Sequence, residues 1–229
     1  MKFLMLLRKE LREDLPWLLT AMAVFLLTGG LILHIASYEA KASLESWKSG
    51  TALNFFSSGF YSPLSGVGVW LFLISIGLGI ALGIRQFWLP GFMKTWGFEI
   101  HRSVSRSLIL WAKLSASAVI FVLAVGLLWT VFYLCAFWPG VFLVPPPSRI
   151  FIEGWIFIVL GYVIYLGVAL SGLSRAKWYT TKLFPPGFTL LLSLLITQQQ
   201  QIGYALLFLA IGGFILLFQI INAFLCREF

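Results

Sequence analysis

Charge is scarce in this 229-residue chain. Only 10% of its residues are Asp, Glu, Lys or Arg, whereas 60% are hydrophobic and the mean hydropathy is +0.97. A soluble domain carries charge on about a quarter of its residues, so this composition excludes a water-facing fold and leaves lipid as the surroundings. Cysteine is nearly absent as well. Cys135 and Cys226 fall near the ends of different apolar runs, on opposite membrane faces in the topology read below, which argues against a disulfide. No Cys-x-x-Cys or other metal-ligand spacing occurs. Catalytic signatures are also missing. There is no His-Glu-x-x-His, no Gly-x-Ser-x-Gly and no glycine-rich phosphate loop. Inside the apolar runs the one clear ionisable residue is His34, near the end of the first run, with no carboxylate or serine partner legible in the sequence. It reads as a buried hydrogen-bonding group rather than a proton relay. This poverty of polar groups weighs against an intramembrane enzyme and against an ion-driven transporter.

What the chain does have is apolar runs of spanning length. A helix needs about 20 apolar residues to cross a bilayer. The expected fold is an all-α integral membrane protein: an N-terminal interfacial amphipathic helix over residues 1–15, then six transmembrane helices near 17–37, 64–84, 108–137, 151–173, 178–197 and 202–225. In the first segment Phe3, Leu4, Leu7, Leu11 and Leu15 share one helical face, with Lys2, Arg8, Lys9, Arg12 and Glu13 on the others. Asp14 and Pro16 then predict a break and a fresh helix start. A polar segment from Tyr38 to Pro63 follows the first span. Pro185, Pro186 and Gly187 interrupt the start of the fifth span, which reaches about twenty residues only if counted from Trp178 through a kink. Glycines at 66, 68, 77, 79 and 83 suit close helix packing in the second span, although ordinary membrane-helix glycine explains them equally well. Arg149 and Glu153 are spaced to pair at the start of the fourth.

The 16 Lys and Arg residues set the orientation. With the N-terminus inside, 13 fall in inner segments and only Lys41, Lys48 and Arg149 in outer ones. That bias predicts cytoplasmic termini by the positive-inside rule. Because the basic residues are dispersed between apolar runs, they signal topology and not nucleic-acid binding.

One stretch departs from the rest. RQFWLPGFMKTWGFEIHRSVSRSLILWAKL, residues 85–114, is basic and partly amphipathic between two apolar runs. It resembles the cytoplasmic segment between the second and third spans of ABC-2-type ABC transporter permeases. Thr95, Trp96, Phe98, Arg102, Val104, Ser105, Arg106, Ile109, Lys113 and Leu114 fall at the positions of that family's pattern. Ser103 stands where the family has proline and Ala112 where it has glycine, and the acidic lead-in is missing from residues 85–90. The N-terminal KFLMLLRKELRE is similar to the family's interfacial helix.

The resemblance implies an exporting permease subunit in the cytoplasmic membrane of a bacterium, with no catalytic residue, metal or cofactor of its own. ATP and magnesium would sit on a separate cytoplasmic ABC ATPase subunit. A second permease copy or a homologous permease would complete the pathway, lined in the family by the first, second and fifth spans. The coupling segment at 85–107 would offer Trp96, Phe98 and Ile100 as apolar anchors and Glu99, His101 and Arg102 as a polar rim to the ATPase. Arg8, Lys9, Arg12, Arg106 and Lys113 would anchor the inner membrane surface. A different reading stays open beside it: a non-transporting membrane anchor or regulatory subunit.

Overall fold

The computed structural model describes residues 2–48, 63–93, 105–137, 147–174, 182–199 and 201–225. Six helices make up these residues, with no strand among them. The first, α1, is Lys2–Lys48. The second, α2, is Pro63–Gly83, continued by a π-turn at Ile84–Trp88 and a last α-turn at Leu89–Phe92. The third, α3, is Arg106–Phe121, continued by a second π-turn at Val122–Gly126 into Leu127–Cys135. Then come α4 (Ser148–Leu173), α5 (Phe184–Gln198) and α6 (Ile202–Leu225). Five of the six are long and apolar enough to cross a membrane, which fits a helical multi-pass membrane protein.

The centre of the bundle is α4. Every residue from Val163 to Ser171 is buried, so this helix has no outward face in that stretch. Helix α6 shows the opposite pattern. Ala205, Leu209, Gly212, Leu216, Ile220 and Phe224 are buried in one stripe at helical spacing, while Phe214 and Phe218 on the other side are largely exposed. A single buried stripe with apolar residues all round is the arrangement of a peripheral membrane helix. Helix α2 lies closest to α4, and glycine makes this possible. A Cβ on Gly79 would run into the carbonyl oxygen of Gly161, and one on Gly161 would sit 2.6 Å from the Ser75 Cβ. Gly83 presses on Val168 in the same way, whereas Gly77 faces open space. Arg149 and Glu153 pair at 2.7 Å, one turn apart on α4. Cys135 ends α3 as a free thiol, and Cys226 lies outside the described residues.

Two expectations fail at helix ends, and one polar segment proves to begin as helix. The break predicted at Asp14 and Pro16 does not occur: α1 runs on through Pro16. Proline removes one backbone donor, but the inward stripe keeps its register across it, with Glu10, Asp14, Ala21 and Phe25 all buried. Those contacts on both sides hold the helix together, and the Thr20 hydroxyl donates to the Pro16 carbonyl. The polar segment after the first span begins as helix, reaching Lys48, because YEAKASLESWK contains no glycine or proline to stop it. The prolines at 185 and 186 start α5 rather than kink it. They occupy its first turn, where a missing N–H costs nothing. The resulting helix has 15 residues, about 22 Å long, which is short of a hydrocarbon core of about 30 Å.

Candidate functional site

At the end of the bundle where α1 begins, four helices contribute to one buried polar cluster. Helix α1 supplies Glu10 and Asp14, one turn apart on the inward face and only 4% and 1% exposed. Lys113, two turns into α3, is equally buried and places its Nζ 3.2 Å from one Glu10 carboxylate oxygen and 3.4 Å from the other. From the first π-turn, Arg85 reaches one Asp14 oxygen at 3.4 Å, and the Gln86 amide donates to the other at 2.5 Å. The Gln86 carbonyl accepts a 2.6 Å hydrogen bond from the Tyr165 hydroxyl of α4. Gln86 therefore bridges α1 and α4, with both ends of its carboxamide engaged.

The cluster balances its charge, two carboxylates against two cations. That balance matters because an isolated charge removed from water costs several kcal/mol, roughly, even after relaxation, and only close partners recover it. The surrounding aromatics keep water away. Phe87 is fully buried with its ring 6.2 Å from Tyr165, and Tyr165 stacks on Tyr162 at 5.5 Å. The Tyr162 hydroxyl donates to the Leu114 carbonyl at 3.2 Å, tying α4 to α3 just beyond Lys113. Trp88 closes the edge: its indole N–H donates to the Val168 carbonyl at 3.0 Å, and Lys182 sits 5.8 Å over its ring. Chemically, the arrangement pins helices; among the described residues it is not a group of three or more potential metal ligands.

The residues singled out from the sequence fall into three groups. Trp96, Phe98, Glu99, Ile100, His101 and Arg102 lie outside the described residues. The helices on either side of them are described, and both carry cluster residues: Arg85 and Gln86 shortly before, Lys113 shortly after. The second group is the basic set of α1. Arg8 and Arg12 are exposed and Lys9 is half-buried, paired to Glu13 at 3.5 Å. With Met5 and Glu13 they form the outward face of this part of the helix. Arg106 is half-buried in the first turn of α3.

Lys113 forms the third group and is a correction. Expected at the membrane surface, it points inward and is 3% exposed, because Glu10 needs a cation there. Of the cluster, only Lys113 and Tyr165 fall within the apolar runs read from the sequence; Glu10, Asp14, Arg85 and Gln86 lie outside them. His34, expected to be buried, is exposed on α1, whereas Glu10, Asp14, Gln86 and Tyr165 were the groups to find. A signal for two of them was present. Glu10 and Asp14 are spaced i, i+4 and continue in register into the apolar stripe of Ala21 and Phe25, so one inward face contains acids. Their partners are 72 and 103 residues away, which no local pattern reveals.

No protein-family model, no curated protein and no solved structure matches this chain, so the cluster and the segment beside it stand on their own chemistry.

Proposed function

We propose that this chain is the membrane-spanning permease subunit of an ABC-2-type transporter, exporting its substrate and driven by a separate cytoplasmic ATPase subunit. The observation that carries the proposal is the segment Thr95–Leu114, whose Trp, Phe, Arg, Ser and Lys residues fall at the positions of that family's coupling pattern. The buried cluster supports it physically. A segment that receives force from a partner must be joined firmly to the helices that move, and both helices flanking residues 94–104 are tied into one ionic cluster with α1 and α4. In this reading both termini are cytoplasmic, a second permease copy or a homologous permease completes the pathway, and ATP and magnesium belong to the partner. Trp96, Phe98 and Ile100 are the anchors, and Glu99, His101 and Arg102 the rim. Arg8, Lys9, Arg12 and Arg106 meet anionic lipid at the inner leaflet. Lys113 leaves that list and becomes an internal partner of Glu10.

The test is association with an ABC ATPase subunit, recovered with this chain by mild solubilisation of native membranes. Truncating a packed aromatic anchor commonly costs about 2 kcal/mol or more, roughly thirtyfold in affinity. Trp96→Ala and Phe98→Ala are expected to lose the ATPase while the chain still inserts. Binding and transport at parental levels in both variants would overturn the coupling role. Recovery of the parent chain without any ATPase would instead favour a non-transporting anchor.

A further inference from the structure

The first π-turn is held in an unusual way. Leu89 donates its backbone N–H to Ile84, five residues back, so Ile84–Trp88 accommodates one more residue than an α-turn. Such turns pack their backbone less well than α-helix and occur mostly as single turns, often at functional sites. Here four consecutive side chains each have a partner on another helix. Arg85 and Gln86 meet Asp14, Phe87 and Gln86 meet Tyr165, and Trp88 meets Val168. In α-helix, successive side chains point about 100° apart, so four in a row would sweep nearly the whole circle. The extra residue narrows that sweep and lets α1 and α4 be reached together.

We propose that Ile84–Trp88 is a conformational switch whose π-form is held by the Asp14–Gln86–Tyr165 bridge. When the bridge opens, the turn relaxes to α-helix. Leu89–Phe92 then rotates about its axis relative to α4 by about one residue, ~100°. Gln86 acts here as a positioning residue: it sets where the chain leaves α2 toward residues 94–104. Opening needs α1 and α4 to change spacing at this end, so any partner that favours one spacing shifts the switch by its differential affinity for the two states. The link to ATPase docking rests on the permease reading; the switch itself rests only on the turn and its bridge.

The experiment therefore uses the full chain alone, in lipid nanodiscs and without any ATPase. With Cys135 and Cys226 replaced by serine, spin labels at Phe92→Cys and Ser174→Cys report the distance from the end of α2 to the end of α4 by dipolar broadening in continuous-wave electron paramagnetic resonance, which suits two helix ends that touch at Phe87, Trp88 and Gly172. Phe92 is 72% exposed, and its ring contact with Trp88 at 6.0 Å is removed equally in every variant compared. The otherwise unaltered chain should give one distance population. Gln86→Leu should create a second, displaced by on the order of 8 Å, the chord of such a rotation at the helix surface. Tyr165→Phe removes a single oxygen and should populate the same second distance in part. Restoring a short bridge with Gln86→Asn should give an intermediate fraction. An unchanged distribution in Tyr165→Phe and in whichever Gln86 variant folds would overturn the switch, leaving the bridge as packing only. A failure of ATPase binding in Trp96→Ala or Phe98→Ala tests the permease reading separately.

Discussion

The two π-turns of this molecule are alike in backbone and opposite in surroundings. In both, a backbone N–H reaches five residues back: Leu89 to Ile84 in α2, and Leu127 to Val122 in α3. The first is held by the Asp14 carboxylate of α1 and by the Tyr165 hydroxyl and Val168 carbonyl of α4. The second, VLAVG, has no polar side chain at all. Its buried side carries Ala124, Val125 and Gly126, and the Trp155 ring fills the space over Gly126, where a Cβ would come within 2.8 Å of it. The Gly126 carbonyl accepts from the Thr130 hydroxyl one turn on, at 2.9 Å. The same irregularity is thus held by directional bonds in one place and by shape in the other. Directional bonds open when one partner leaves, whereas a shape fit changes only when volume changes. That makes the first turn suited to switching and the second to a fixed bend.

The strongest way to break the comparison is to remove a charge beside the first turn. Lys113→Ala leaves Glu10 buried without its cation, and stranding one member of a buried pair costs about 3–5 kcal/mol. The paired change Glu10→Gln with Lys113→Ala should recover much of that loss, since it leaves no uncompensated charge in the buried site. Thermal unfolding in detergent, arranged as a double-mutant cycle, measures both. Equal losses in the single and paired variants would show that Lys113 stabilises by its stem and not by its charge.

The second turn should answer to volume. Gly126→Val pushes into the Trp155 ring, and overpacking of this kind costs about 1–3 kcal/mol. Adding Trp155→Leu should return part of it, read by the same unfolding experiment. The smallest effect belongs to the exposed counterpart of the buried pair. Arg149 and Glu153 make a closer contact than Lys113 and Glu10, 2.7 Å against 3.2 Å, yet both side chains are in large part exposed. Arg149→Ala should change stability by about 0.3–0.5 kcal/mol. A loss as large as that of Lys113→Ala would mean that burial is not what separates the two pairs.

How much of this was legible can be judged residue by residue. The apolar runs of α2, α3, α4 and α6 stand out in the sequence because each contains the length a bilayer demands. The i, i+4 pairing of Arg149 with Glu153 was also local. Residue spacing alone misplaced Lys113, since a lysine seven residues into an apolar helix reads as a surface anchor until a carboxylate 103 positions away is known to face it. Pro16 misled for a related reason: proline is a local signal, and the stripe that overrides it is made by contacts with other helices.

The sequence by itself determined the class of this protein. Hydrophobic run length and the scarcity of charge are additive properties of the chain, and they specify helices suited to lipid whatever those helices later touch. The tertiary structure alone decided which charges meet, that α4 lies at the centre, and that α2 and α3 each hold a π-turn. Those outcomes depend on distance and desolvation between residues far apart in the chain, and a buried carboxylate, unlike an apolar run, acquires its meaning only from the partner placed against it.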